Sequence, residues 1–242
     1  MAHGAPDDSD IVKNYTHYRI DDMAELAVRL GSPVGYQRYG EVVWYEDFSC
    51  GVGSWLLSSP LADAEFSACN DHYLSAGVGG KLCYKTGTGF HSSISRVSGY
   101  ESGTRIGFAG YYLIDSLVTK FSIFLYYYHA GLISSPEIFI DHTTGEIKYN
   151  VQDIGYVLLT TVPPFDNTGN VWYPFKMVID TDIDQYVRFS FGNKTYDMAE
   201  APIPTTMSPT SDRCVAMIMF YSKLNQGYDV YLDNLVFTVN EF

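Results

Sequence analysis

Apolar residues that return at every second position constrain this chain more than any other feature. Ile106, Phe108, Tyr112 and Ile114 alternate with smaller or polar residues across 104–114, and Phe121, Ile123, Leu125 and Tyr127 carry the same period onward. A period of two puts such side chains on one face of a pleated strand, and that face must be buried against a second layer. Further strands follow from turn chemistry. His142-Thr-Thr-Gly145 joins 137–140 to 146–151, Asp180-Thr-Asp-Ile-Asp184 joins 171–179 to 186–191, and Gly192-Asn193-Lys194 leads into 195–198. A strand at 41–48 opens the series, and 214–224 and 228–239 close it. Roughly ten to thirteen strands result, spaced as a two-sheet antiparallel sandwich requires. No fixed repeat is visible, which speaks against propellers and solenoids.

One irregularity is legible in the closing strand. Val230 and Leu232 share one parity, while Leu235, Phe237 and Val239 share the other. An extra residue near Asp233-Asn234, a β-bulge, accounts for the slip. The loop 199–213, with Pro202, Pro204 and Pro209, is the longest polar connection late in the chain, and Gly77-Val-Gly-Gly80 reads as a turn. Composition agrees with an all-β chain, since 21 Tyr and 14 Phe sit among only 18% charged residues. The 242 residues suit one large sandwich domain.

The first forty residues read differently. Residues 1–19 are polar and aperiodic. Asp21-Asp22 then opens a stretch whose apolar members, Met23, Leu26, Ala27 and Leu30, fall on one helical face before Gly31 and Ser32-Pro33 end it. A helix of about ten residues at 21–30 is not stable alone. Its face is therefore expected to dock on its own sandwich or on a neighbouring subunit. The chain divides into an N-terminal arm, 1–40, and a sandwich, 41–242.

The net charge of −13 disfavours phosphate backbones and anionic membranes as partners. No apolar run reaches the roughly 18 residues of a membrane span. The start, Met1-Ala-His-Gly-Ala-Pro-Asp-Asp, has no basic stretch followed by an apolar one, so no secretory signal peptide is expected. Cys50, Cys69, Cys83 and Cys214 form no Cys-x-x-Cys pair. Their even count permits a bridge among the first three, and small buried hydrophobes are the plainer expectation. The sequons at Asn14 and Asn193 arise readily by chance in a chain of this composition.

Motifs for catalysis are missing. Glu137, Asp141 and Glu146 are the nearest approach to a paired-carboxylate set, but the 142–145 turn puts Glu146 on the next strand, and solvated turn acids are expected. Asp180, Asp182 and Asp184 mimic a calcium loop, yet Gln185 and Phe191 stand where its glycine and glutamate belong, leaving a solvated hairpin tip. The six histidines lack zinc spacing, and Gly-x-Ser-x-Gly and phosphate loops are absent. A non-catalytic protein that requires no cofactor is expected. In Tyr126-Tyr127-Tyr128 the alternation sends one ring to one face and two to the other.

Two stretches resemble a known family. Trp44-Tyr-Glu-Asp47-Phe48-Ser-Cys-Gly51-Val-Gly-Ser-Trp55 resembles the opening of concanavalin A-like and carbohydrate-binding jelly rolls. Tyr228-Asp-Val-Tyr-Leu-Asp233-Asn234-Leu-Val-Phe-Thr resembles their closing strand, and 172–188 looks like their central hairpin. The resemblance implies a two-sheet jelly-roll sandwich whose first and last strands pair. It also implies a structural Ca²⁺ held by Asp47 and Asp233, although Ser49 stands where a second acid is common. A glycan-binding role would fall to exposed aromatics such as Trp55, Tyr100 and Tyr173. The phrase from His17 to Pro33, running into the strand at 41, resembles openings of structural proteins of tailed-virus particles. That likeness implies a virion accessory, a capsid decoration or tail component, docking on itself or on virion proteins through its arm. A lectin-like module contacting surface glycans is the alternative.

Overall fold

The computed structural model describes residues 40–59, 64–74, 77–84, 91–99, 105–114, 118–163, 165–166, 171–198, 201–222 and 227–241. These form two stacked antiparallel sheets. The first contains β1 (Glu41–Glu46), β3 (Ala64–Cys69), β4 (Gly79–Tyr84), β6 (Arg105–Ile114), β12 (Tyr173–Asp180), β13 (Gln185–Phe191), β14 (Lys194–Asp197) and β17 (Tyr228–Val239). Its order is β14-β13-β12-β6-β17-β4-β3, with β1 added on β17. The second contains β2 (Leu56–Ser58), β5 (His91–Gly99), β7 (Val118–His129), β8 (Leu132–Ser134), β9 (Glu137–Asp141), β10 (Glu146–Val151), β11 (Gly155–Thr161), β15 (Thr205–Met207) and β16 (Arg213–Ser222). Its order is β11-β10-β9-β7-β16-β5-β2, with β8 pairing both β7 and β15.

The alternation read from the sequence builds the core. Ile106, Phe108 and Tyr112 from one sheet meet Phe121, Ile123, Leu125 and Tyr127 from the other, all essentially without solvent contact. Period two gives each strand one such face, and stacking the two faces removes both from water. The fit is close at Gly110, where a Cβ would lie 2.3 Å from Leu235 Cδ2.

The hairpins at 142–145, 181–184 and 192–193 form as the turn residues predict. The first and last strands pair, with Glu41 opposite Val239. The slip in β17 falls between Asp233 and Val236, and Asn234 takes a φ of 51°. It has a topological reason. Tyr228–Leu232 pairs with β4, while Leu235–Val239 pairs with β1, so the bulge passes the strand from one neighbour to the other.

Other expectations need correction. There are 17 strands among the described residues. Those missed include three-residue pieces (β2, β8, β15), strands whose serines and small residues hide the period (β3, β5), and β4 and β11, whose apolar residues do not alternate with polar ones. The polar loop after 199 carries β15 and a bridge from Gln185 to Pro202. Of Gly77-Val-Gly-Gly80 only the start turns, with Gly77 at φ 74°, while Gly79 and Gly80 begin β4. All four cysteines are unbridged, and Cys214 alone is buried. The predicted helix at 21–30, with Met23, Leu26, Ala27 and Leu30, lies outside the described residues.

Of the three aspartates at the 180–184 hairpin Asp182 is exposed as expected, while Asp180 and Asp184 are not simply solvated. Asp180 is buried and paired with Arg105 at 3.0 Å. Asp184 accepts hydrogen bonds from Ser134 Oγ at 2.8 Å and from the hydroxyl of Tyr127, both on the opposite sheet. Desolvation there raises the Asp184 carboxyl above its ordinary range.

Candidate functional site

The side chains that alternate with the core on the second sheet point away from it, yet several are hidden from water. Ser122 and Phe124 on β7, Glu137 on β9 and Ser93 on β5 are all buried although they face outward. They therefore lie at the bottom of a depression between taller neighbours. The neighbours are aromatic and thioether side chains: half-buried Tyr126, Phe139, Met217, Met219 and Tyr221, and exposed Tyr156. Register brings them together, since Phe124 lies opposite both Glu137 and Met217. Phe124 and Tyr126 stack with ring centres 5.3 Å apart, and Phe139 tilts against Tyr156 at 5.6 Å.

Glu137 is the polar centre of this face. Its Oε1 accepts from Ser122 Oγ at 2.8 Å and its Oε2 accepts from the Tyr156 hydroxyl at 2.6 Å. Tyr221 reaches the same serine. Burial raises the Glu137 carboxyl above its ordinary range, and the two donors only partly oppose that rise. The same burial, with Glu137 nearby, lifts the Tyr126 and Tyr156 hydroxyls well above theirs. Behind the strand, the Glu137 amide donates to the Tyr186 hydroxyl at 2.8 Å, which fixes β9 to the other sheet. At the rim, Lys120 lies 5.3 Å over the Phe139 ring and Arg213 4.8 Å over Tyr128. The arrangement offers flat apolar rings, hydroxyls and one carboxyl on a single rigid surface.

Glu137 is thus not the solvated acid the turn suggested. Asp141 behaves more as expected, its Oδ1 accepting from the amides of Thr143 and Thr144. Glu146 pairs with Lys148 at 2.7 Å. Ser122, Tyr156 and Tyr221 escaped the sequence reading. Each occupies the outward phase of its strand, and only the two outward tyrosines beside Tyr127 gave a visible signal.

The aromatics expected to touch glycans are elsewhere. Trp55 is 6% exposed, packs edge-on against Trp44 at 5.7 Å, and donates its indole N–H to Glu46 at 3.3 Å. It has no face to offer a ligand. Tyr173 is half-buried among Tyr112, Phe165 and Phe191, and its hydroxyl accepts from the Asp166 amide at 2.6 Å. It packs the rim of the core. Tyr100 lies outside the described residues.

The calcium expectation also changes. Asp233 is fully buried and its carboxylate accepts from the amides of Leu74 at 2.6 Å and Asn234 at 2.7 Å. Asp47 accepts from the amide and hydroxyl of Ser49. The two acids cap backbone turns. Among the described residues no cluster of three or more His, Cys, Asp or Glu side chains is arranged to hold a metal.

The fold is a concanavalin A-like two-sheet sandwich. No protein-family model matches the chain, and no curated protein matches it. Among solved structures it is similar to an endo-β-1,4-glucuronan lyase from the fungus Trichoderma reesei, with a TM-score of 0.56 and 12% identity over 82% of this chain and 95% of that one. It is similar to a carbohydrate esterase from a Shiga toxin-encoding bacteriophage, with a TM-score of 0.52 and 13% identity over 84% of this chain and 100% of that one. A sialidase matches with a TM-score of 0.53 and 9% identity over 85% of this chain, which spans 19% of that protein. Identities this low establish a common fold and nothing finer.

Proposed function

We propose that this chain binds a carbohydrate on the outer face of its second sheet and does not cleave it. The observation that carries the reading is the row of half-exposed rings, Tyr126, Tyr156 and Tyr221, set around the buried Glu137–Ser122 pair. Aromatic faces stack on the apolar faces of sugar rings, while hydroxyls and a carboxyl orient the sugar's own hydroxyls. Carbohydrate-directed names among the proteins that share the fold support the same reading. Geometry favours binding over hydrolysis. Glu137 and Asp141 share a strand face but stand four residues apart, about 13 Å along it. Paired-carboxylate hydrolysis needs roughly 5–5.5 Å or 6.5–9.5 Å.

The test is calorimetry against a panel of neutral and acidic polysaccharides, repeated with Tyr126→Ala and Tyr221→Ala. Binding that weakens roughly tenfold or more in either variant, ~1.4 kcal/mol, is expected. A panel on which the unmodified protein binds nothing would overturn the reading, and release of reducing sugar would overturn its non-catalytic part.

A second reading is that of a virion accessory that assembles through its N-terminal arm. It is supported by the amphipathic pattern of Met23, Leu26, Ala27 and Leu30 and by the bacteriophage protein that shares the fold. Removal of residues 1–33 is expected to abolish assembly and leave a folded sandwich. A truncated chain that assembles normally removes this reading. The two roles are compatible in one particle-surface protein.

A further inference from the structure

We infer that β11 is a self-pairing edge through which two copies of this chain join their second sheets. Among the described strands six pair on one side only: β14, β3 and β1 in the first sheet, and β11, β2 and β15 in the second. Edge strands avoid unwanted pairing by being short or by carrying charge, proline or bulges. β14 is four residues long and holds Lys194 and Asp197, β3 holds Glu65, β1 holds Glu41 and Glu46, and β2 and β15 have only three residues each. β11 has seven, Gly-Tyr-Val-Leu-Leu-Thr-Thr, without a charge or a proline. Its ladder to β10 slips between Ile147 and Lys148, which leaves Gly155–Leu158 as the regular stretch. Along this stretch and the turn before it, large apolar side chains meet solvent, with Ile154 72%, Tyr156 53% and Leu158 52% exposed. No described strand lies beyond it.

A second copy fits this edge for two reasons. An antiparallel pair of identical strands is self-complementary about a two-fold axis, so every donor and acceptor on one edge meets its counterpart on the other. Charge selects the same place. Two chains of net charge −13 repel wherever acids face acids, and 155–162 offers an uncharged line of approach. Pairing there would cover Leu158 and continue the outer face of one sheet into that of the other. The Tyr156–Glu137 pair of each copy would then flank the axis, and the second copy would supply the wall that β11 lacks on its open side. This inference stands independently of what the face binds.

The experiment is light scattering of the full chain over a concentration series, with Leu158→Glu and, as control, Leu56→Glu at the opposite end of the same sheet. Leu56 is 63% exposed, so both substitutions add one surface charge. The expected result is a mass rising towards twice 27.2 kDa, lost in L158E and kept in L56E. A 27.2 kDa species at every concentration, or a dimer indifferent to L158E, overturns the inference. Should L158E fail to fold, hydrogen exchange of the unmodified protein decides. Protection of the 155–158 amides that rises with concentration supports the pairing, and protection independent of concentration refutes it.

Discussion

Acid should weaken this fold through one imidazole. His142 is buried in the turn between β9 and β10, with Nε2 3.0 Å from the Tyr112 hydroxyl, its ring parallel to Phe121, and Phe165 edge-on at 4.5 Å. Burial pushes its pKa down from 6.5 to about 4, against a smaller opposing pull from Asp141. The folded state thus keeps His142 neutral where the unfolded chain would protonate it. The unfolded state binds more protons between those values, so stability is full above about pH 6.5, falls as pH drops towards 4, and levels off below. At ~1.36 kcal/mol per tenfold change in proton affinity, the total is about 3 kcal/mol. His142→Phe keeps an aromatic ring at the site and abolishes proton uptake, though it costs about 1–3 kcal/mol at neutral pH by leaving the Tyr112 hydroxyl unpaired and by crowding a buried site with a larger ring. Urea denaturation at pH 7.5 and pH 4 reads both terms. The stability gap between the two proteins is expected to shift by about 3 kcal/mol in favour of H142F at the lower pH. Parallel pH profiles for the two proteins would refute the reasoning.

Three further outcomes are expected. Glu46 takes four donors on one carboxylate, the Phe48 amide, Ser54 Oγ, Trp55 Nε1 and Arg96 at 2.9 Å; Glu46→Ala should cost about 3–5 kcal/mol in denaturant unfolding by stranding a largely buried guanidinium, and a loss under 1 kcal/mol would contradict that account. Trp55→Ala should lower stability by about 3–5 kcal/mol while leaving polysaccharide affinity unchanged, and the reverse result would return Trp55 to the surface role suggested by its sequence context. Asp233→Ala should cost about 1–3 kcal/mol through two orphaned amides, while EDTA leaves the melting temperature of the unmodified protein unmoved; a drop with EDTA reversed by Ca²⁺ would reinstate the metal.

Much of the strand plan could be read from the sequence because period two is a local property. Phe121, Ile123, Leu125 and Tyr127 announce their inward face wherever the strand is placed, and the parity change after Leu232 announces a bulge. The turns at 142–145 and 181–184 are equally local, since a few residues with the right backbone preferences make each one. Strands such as β5, His-Ser-Ser-Ile-Ser-Arg-Val-Ser-Gly, were lost because small polar side chains carry no period.

What alternation leaves open is how deep an outward-facing residue lies. That depends on neighbours in the sheet, and in this topology those neighbours are remote in sequence. Ser122 and Glu137 read as polar positions of exposed faces, and they are buried because larger side chains stand beside them on the paired strands, Phe139 and Met219 opposite Ser122 and Phe124 opposite Glu137. Trp55 looks like a loop-tip aromatic until β1 and β5 bring Glu46, Trp44 and Arg96 around it. Asp184 appears to be a solvated turn acid until the facing sheet offers it Tyr127 and Ser134. Adjacent residues fix the apolar side of a strand wherever large apolar side chains alternate with small or polar ones, because period two is set by the bonds between them. Which polar groups lose their water depends on strands remote in sequence, because desolvation is the work of whatever the fold packs beside them.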